Sequence, residues 1–319
     1  MSVSGSHNFS VTRNEIIQTA LQLLGVYGLG RTISSEDINF CNIMLNTMVK
    51  AWQVQGYHIF ALDEVMFFAT QYTDKYTIDG SSARISRASD TVITKLTASA
   101  AASATTLTVS STTGMAASDV IGVVLDSGAT SWTTISSVDS TTALTIASGI
   151  STAATSGRYV YTFTTRLDRP VRFNSLRRVT GLDLSSTSDR SDIEMEALSH
   201  HEFFSLPNRN SNGTTISYHY QPGVSSGDLY LWPRPSDTQT YFSGTVERFL
   251  DDFDSSENTS DFPVHWMECI IFQLAVRVAP AFNRTEKAAA LLQLASTMLM
   301  NMETHDTEIE AVKFSPSIK

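Results

Sequence analysis

The sequence predicts an α+β protein with a helical-bundle core, built from two N-terminal and two C-terminal helices, plus a β-strand and hairpin region and an inserted small antiparallel β-domain. Three observations lead there. A strongly apolar helix is written near the C-terminus, a pair of amphipathic helices near the N-terminus, and the middle of the chain abruptly loses its basic residues.

The C-terminal helix is expected over Asp261 to Pro280, DFPVHWMECIIFQLAVRVAP. Asp261 can cap it, Pro263 already has the φ of a helix start, and Pro280 cannot continue the ladder. Trp266, Ile270, Leu274 and Val278 recur at i+4, and Met267, Ile271, Ala275 and Val278 form a second stripe beside them. Two stripes require cover on two sides, from this chain or from a copy of it. Arg277 interrupts the run, which is shorter than the roughly 20 apolar residues a bilayer span needs, so no membrane segment is expected.

At the other end, Thr12 with Glu15 reads as a capping box, and Ile16, Ile17, Ala20, Leu21, Leu24 and Tyr27 follow until Gly25, Gly28 and Gly30 break the pattern. Ser34 or Ser35 caps a second helix, whose apolar face is Ile38, Cys41, Leu45, Met48 and Trp52 and whose stop is Gly56. Two such helices on a short turn pack antiparallel and make half a bundle. Beyond the Asp261 helix, Asn283 with Glu286 predicts another capping box, and Ala288, Leu291, Leu292, Ala295, Met298, Leu299 and Met302 supply the last helix.

Between these ends the periodicity shortens. Val65, Phe67 and Ala69 alternate with Met66, Phe68 and Thr70, and strands continue to the turn at Asp79 and Gly80. From Leu96 to Gly157 there is no lysine or arginine, only Ala, Ser, Thr and Gly around short β-branched runs such as Val120 to Leu125, Trp132 to Val138 and Tyr159 to Phe163. Even spacing with turn residues between predicts a small sheet or barrel. Ser199 to Phe204 looks helical, Ile216 to Tyr220 and Leu229 to Trp232 form a hairpin, and Tyr241 to Phe249 is one more strand. The expected divisions are 1–57 for the N-terminal helices, 58–95 for strands and 96–164 for the insertion. They continue with 165–260 for a basic loop and hairpins, 261–303 for the C-terminal helices and 304–319 for a C-terminal arm.

Hydrophobic residues make up 42% and charged residues 17%, which describes a globular chain with a Ser/Thr-rich surface. The formal net charge of −10 argues against tight wrapping of nucleic acid through phosphate neutralisation. Cys41 and Cys269 fall in apolar helical patterns and read as free buried thiols, and no secretory leader is visible, so a cytoplasm is the default compartment. Arg166, Arg169, Arg172, Arg177 and Arg178 form one charge patch, and Asp251, Asp252, Asp254 and Glu257 another. They are read as charge pairing within or between subunits; on opposite sides of one subunit they would join copies head to tail, and a contact of that kind whose rotation closes makes a ring.

No catalytic constellation assembles. The sequence lacks a G-x-S-x-G elbow, a phosphate loop, a dinucleotide fingerprint and a complete H-E-x-x-H, since Phe203, Phe204 and Ser205 follow His201 and Glu202. His200 and His201 point to different helix faces, and the run Asp251, Asp252, Asp254 lacks the central glycine of a calcium loop. The expectation is no enzyme, no catalytic residue, no metal and no cofactor. The tail alternates Val312, Phe314, Pro316 and Ile318 with polar residues, a pattern suited to docking on a neighbour.

The succession RPVRFNSLRR (Arg169 to Arg178), DIEMEALSHHEFFSLPNRNSNG (Asp192 to Gly213), YHYQP (Tyr218 to Pro222), GDLYLWPRPSD (Gly227 to Asp237) and DFPVHWMECIIFQLAVRVAPAFN (Asp261 to Asn283) resembles the packaged-DNA stabilisation, or tail accessory, proteins of short-tailed bacteriophages. Thr105 to Val138 separately resembles a small β-module inserted in assorted phage virion proteins. The resemblance implies a virion neck protein assembled in the host cytoplasm. It would form a homo-oligomeric ring, a dodecamer in the family, beneath the portal protein. That ring extends the DNA channel, helps retain packaged DNA and supports tail nozzle or fibre proteins, and double-stranded DNA passes without sequence-specific binding. The resemblance also gives Val312, Phe314, Pro316 and Ile318 the role of a portal-docking arm. The alternatives are a peptidoglycan-acting tail enzyme and a glycan- or receptor-binding module carried by the insertion.

Overall fold

The computed structural model describes residues 9–56, 61–81, 84–180, 191–236 and 241–305. Among them strand segments outnumber helices by more than three to one, so the chain is mostly β and the expectation of a helical-bundle core is corrected. The helical signals misled because each runs over 11 to 21 residues between legible caps. Most strands are far shorter and rich in Ser, Thr and Gly, so apolar periodicity under-reports them. Two compact units result, Met1–Ala61 with Phe249–Lys319, and Leu62–Arg248.

The α-helices are α1 (Arg13–Leu23), α2 (Ser35–Gln55), α3 (His200–Phe204), α4 (Met267–Val278) and α5 (Thr285–His305). All but α3 belong to the first unit. The Thr12 capping box forms, with the Thr12 N–H donating to Glu15 Oε2 at 2.8 Å. Ser34 caps α2, which ends on Gly56 at φ 98°, a left-handed stop that glycine reaches without a Cβ clash. The expected cap at Asp261 does not form: its Oδ2 accepts the Asp251 N–H at 2.7 Å, and the chain enters α4 through a 3-10 turn over Val264–Trp266. Pro280 does not end the helical path either, because it sits in a second 3-10 turn, Ala279–Phe282. Asn283 closes that turn at φ 54° and so does not act as the cap of α5.

Helix α4 is the hub, packed on α1, α2 and α5. Trp266, Ile270, Leu274, Ala275 and Val278 are fully buried, and Trp52, Phe262 and Trp266 pack ring on ring with centroids 5.3 to 5.8 Å apart. Its two stripes are therefore covered by its own chain. The segment 250–261 straps α2 from outside the helix ladder. Asn46 Oδ1 accepts the Phe253 N–H at 2.9 Å, Gln53 Oε1 accepts the Leu250 N–H at 3.4 Å, and Lys50 donates to the Leu250 carbonyl. Positions 46, 50 and 53 share one face of the helix, so the strap's backbone groups are satisfied by a polar stripe.

The second unit, Leu62–Arg248, opens with β1 (Leu62–Phe67), β2 (Lys75–Ile78) and β3 (Ile85–Arg87). Next come β4 (Thr91–Lys95), β5 (Thr106–Thr108), β6 (Val120–Val124), β7 (Thr130–Val138), β8 (Ala143–Ile146) and β9 (Tyr159–Phe163). It continues with β10 (Arg172–Thr180), β11 (Ser191–Glu194), β12 (Glu196–Ala197), β13 (Asn212–Gly213), β14 (Ser217–Pro222), β15 (Gly227–Trp232), β16 (Arg234–Pro235) and β17 (Tyr241–Glu247). A five-stranded sheet in the order β11-β10-β17-β1-β3 and a four-stranded sheet in the order β12-β14-β15-β2 bury Val65, Phe67, Leu176 and Phe242 against Tyr76, Leu229 and Leu231.

Strands β4 to β9 form a six-stranded sheet in the order β4-β9-β6-β7-β8-β5. Past its two edge strands, Leu96 bridges Val109 and the Thr97 N–H donates to the Thr108 carbonyl at 2.9 Å, so the sheet curls until its edges meet at one end. Successive side chains on a strand point to opposite faces. On β6, Ile121 and Val123 fill the inside of the curl, while Val120 and Val124 face out. On β9, Val160 faces in, while Tyr159, Tyr161 and Phe163 face out against Phe68, Val179 and Tyr241 of the flanking sheet region. Both strands are thus buried on both faces, which is why they read as unbroken apolar runs.

Candidate interaction surfaces

The arginines singled out in the sequence lie in the β unit, on β10 and the loop before it. Arg172 pairs with Glu247 of β17 at 2.7 Å, and the two are opposite in register. Glu247 is 3% exposed, so this ion pair shields a carboxylate taken out of water. Arg177 is exposed and stands across from Glu194. Arg178 donates to the Thr215 carbonyl at 3.3 Å and lines a cavity of about 160 Å³ with Thr180, Thr214 and Ser236. Arg166 is half-buried, and Arg169 hydrogen-bonds Tyr220, whose hydroxyl burial pushes up to about 12.

The acidic residues lie in the helical unit, within the strap. Asp252 pairs with Lys50 at 2.8 Å, Asp254 accepts from Asn258 at 2.7 Å through its side chain and from Arg13 through its carbonyl, and the Asp251 N–H is held by Asp261. Asp252 and Asp254 therefore fasten loop to helix within one chain. The portal-arm residues Val312, Phe314, Pro316 and Ile318 lie outside the described residues. His200 lies tilted against Phe204 and edge-on to His219, with centroids 4.4 and 5.5 Å away, and Ser199 with Glu202 caps α3. Among the described residues, no group of three or more His, Cys, Asp or Glu side chains is placed to hold a metal ion. A second cavity, about 350 Å³, is lined by Asn14, Gln18, Arg31, Thr32 and Ile38, and arginine is the one ionisable residue type in either lining.

The surface that stands out is apolar. On α5 only Ala295 is buried, with Ala288, Leu291, Met298, Leu299 and Met302 half-buried around it against the core. From Ala288 to Met302 the helix carries no charge. Leu292, Leu294 and Met300 are 53%, 44% and 60% exposed. Two hydroxyls bond back to the helix, Ser296 to the Leu292 carbonyl at 2.5 Å and Thr297 to the Gln293 carbonyl at 2.8 Å, while Gln293 and Asn301 are exposed among the apolar side chains.

A second strip runs along α2, with Glu36 at its start, Lys50 paired to Asp252 at its edge and Phe40 packed edge-on against Phe282 at 6.2 Å between centroids. Phe40, Ile43 and Val54 are exposed, with Thr47 between them donating to the Ile43 carbonyl at 2.8 Å. The spacing 36, 40, 43, 47, 54 follows the 3–4 rhythm of a helix seam and lies opposite the buried Cys41, Leu45, Met48 and Trp52.

Comparison with protein-family models and with curated proteins finds no match.

Among the described residues no helix is long and apolar enough to cross a membrane. Sequence reasoning put the surplus of apolar surface on the Asp261 helix. The structure puts it on α5 and on the outer strip of α2. The signal was present in the run AAALLQLASTMLMNM, Ala288 to Met302, whose lack of charge on every side exceeds what one buried face requires. The polar stripe Asn46, Lys50 and Gln53 gave no such signal, because its partner is a loop backbone about 200 residues away.

Proposed function

We propose that this chain is a structural ring adaptor of the neck of a short-tailed bacteriophage. Copies assemble about a hollow axis beneath the portal, extend the channel for DNA and offer a platform to further tail proteins. The observation that carries this reading is the exposure of Leu292, Leu294 and Met300 on α5, in a stretch from Ala288 to Met302 that holds no charge, on an otherwise acidic molecule. Exposed apolar side chains of this kind are what a contact with another protein surface covers. The resemblance of Arg169 to Arg178, Tyr218 to Pro222 and Asp261 to Asn283 to the packaged-DNA stabilisation proteins supports the same assignment.

The net charge of −10 suits that task. A wall that carries more carboxylates than cations does not grip passing phosphates, so DNA slides instead of sticking. Mass measurement by light scattering, on the full chain alone and with the portal ring, tests the proposal. A complex of portal and several copies of the chain is expected; a monomer that leaves the portal ring uncovered overturns it.

A further inference from the structure

We propose that the cavity beside Arg178 is an oxyanion site that takes the phosphoryl group of inorganic phosphate or of a phosphate monoester. The inference concerns the β unit and stands whether or not copies of the chain assemble.

The site is built on β10. Side chains alternate along a strand, so Arg178 and Thr180 share the face that Leu176 buries between the two sheets, while Arg177 and Val179 take the other. Arg178 stands opposite Ile193 of β11 and Phe242 of β17. The carboxylates of β11, Asp192 and Glu194, flank Ile193 and therefore point to the far face, where Glu194 stands across from Arg177. The strand beside it thus brings Arg178 no counter-charge.

The guanidinium is fixed but not satisfied. Its Nη1 donates to the Thr215 carbonyl at 3.3 Å, and Thr215, 3% exposed, is itself tied through its hydroxyl to the Pro233 carbonyl at 2.9 Å. The Nε–H of Arg178 is shut off from solvent and meets no acceptor among the described residues. An unsatisfied buried donor on a cation is costly, and what offsets it is an acceptor from outside the chain, water or an anion. The cavity against Arg178 holds about 160 Å³. Thr180, Thr214 and Ser236 place three hydroxyls in its wall, and among the described residues none of these hydroxyls bonds to another protein group. The buried Phe242 and Pro235 complete the lining, whose described residues include no carboxylate.

That donor set selects the ligand. A carboxylate is planar and is satisfied by one guanidinium edge, whereas a phosphoryl group points three oxygens in different directions and carries about −1.5 to −2 at pH 7. Hydroxyls from the end of β10, from Thr214 after β13 and from Ser236 after β16 supply those directions. Size sets the limit. At about 30 Å³ per water the cavity equals roughly five waters, room for a phosphoryl group and not for the sugar or base attached to it. A diester within duplex DNA, flanked by two sugars, does not enter, so the site does not grip a duplex.

Isothermal titration of the full chain, in chloride buffer at constant ionic strength, tests this. Inorganic phosphate and methyl phosphate are expected to bind once per chain with a dissociation constant of about 1 mM or below, and acetate and dimethyl phosphate at least about tenfold more weakly. Arg178→Lys keeps the charge and loses the planar fork, and is expected to weaken phosphate at least about tenfold. Because Arg178 also holds the Thr215 carbonyl, Thr214→Val is the second variant. Thr214 is exposed and its side chain holds nothing in the fold, so the variant is expected to keep its thermal midpoint in chloride while phosphate weakens about threefold or more. No saturable binding, or binding unchanged in both variants, would leave the cavity to water and overturn the proposal. Acetate as tight as phosphate would make it a carboxylate site and overturn the phosphoryl assignment. Dimethyl phosphate as tight as methyl phosphate would overturn the restriction to monoesters.

Discussion

At the scale of single residues, burial decides the chemistry. Cys41 and Cys269 line the core of the helical unit, and desolvation pushes both thiols up to about 12, with Asp37 and Glu268 adding smaller pushes in the same direction. At pH 8 roughly one in ten thousand of each is thiolate, the form that reacts. A thiol-labelling reagent at pH 8 is therefore expected to leave the native chain unmodified over minutes and to titrate two thiols after denaturation; rapid native labelling would contradict the burial. The sign of the pH effect follows. A raised thiol value favours the neutral form in the fold, so this stability is present below the ordinary value near 8.5 and is lost as pH rises from there toward 12. Arg172 poses the opposite case, since it accompanies the nearly inaccessible carboxylate of Glu247. Arg172→Ala is expected to lower stability by about 1–3 kcal/mol, less than a fully buried pair because Arg172 itself is half in water. Adding Glu247→Gln should return part of that loss, as read from urea midpoints.

At the scale of elements, the curled β4–β9 sheet is not a detachable ornament. Phe68, Val179 and Tyr241 pack against Tyr161 and Phe163, and Phe68 stacks on Tyr161 with centroids 4.2 Å apart. Deleting Thr97 to Ser156 would remove Val120, Val124 and Trp132 from this seam and uncover Phe68 and Phe163 on the side that Trp132 packs, at about 1.5–3 kcal/mol for each large side chain returned to water. The expected result is a deletion variant about 3–6 kcal/mol less stable that binds an apolar dye; a variant as stable as the parent would show that this seam contributes nothing.

How much of this was legible follows the range of the interaction concerned. The caps at Thr12 and Ser34, helix α3 and the hairpin of β14 with β15 rest on residues within a few positions of one another, and they were readable. The pairing of β10 with β17 joins residues some 60–75 positions apart, and no local period announces it. The Asp261 cap failed because a carboxylate beside two competing N–H groups goes to whichever the tertiary fold delivers, here that of Asp251. The charge patches were visible as runs, but Arg172 and Asp252 turned out to hold their own chain together. The apolar excess was also visible, and a stripe alone does not say which helix keeps it covered.

At the scale of the whole molecule, acidity sets what the protein repels. With 32 acidic against 22 basic side chains, and Arg172, Arg87 and Lys50 already paired to carboxylates, phosphates meet a net repulsion. No retention of double-stranded DNA is expected in a gel-shift assay at about 150 mM salt, where non-specific binders still hold at about 10⁻⁴–10⁻⁶ M. A micromolar complex would mean that an arginine face is organised for nucleic acid after all.

The helical unit takes its strands of sequence from both flanks of the β unit. Trp52 leaves the ribosome more than 200 residues ahead of Trp266, the ring it packs against. At about 5–20 residues per second of synthesis, the inner face of α2 waits on the order of 10–40 s for its cover. During that interval the nascent chain holds a naked apolar helix while the intervening β unit folds by itself. Translation thus imposes a clock: the core of the helical unit cannot close before synthesis of the chain is nearly finished.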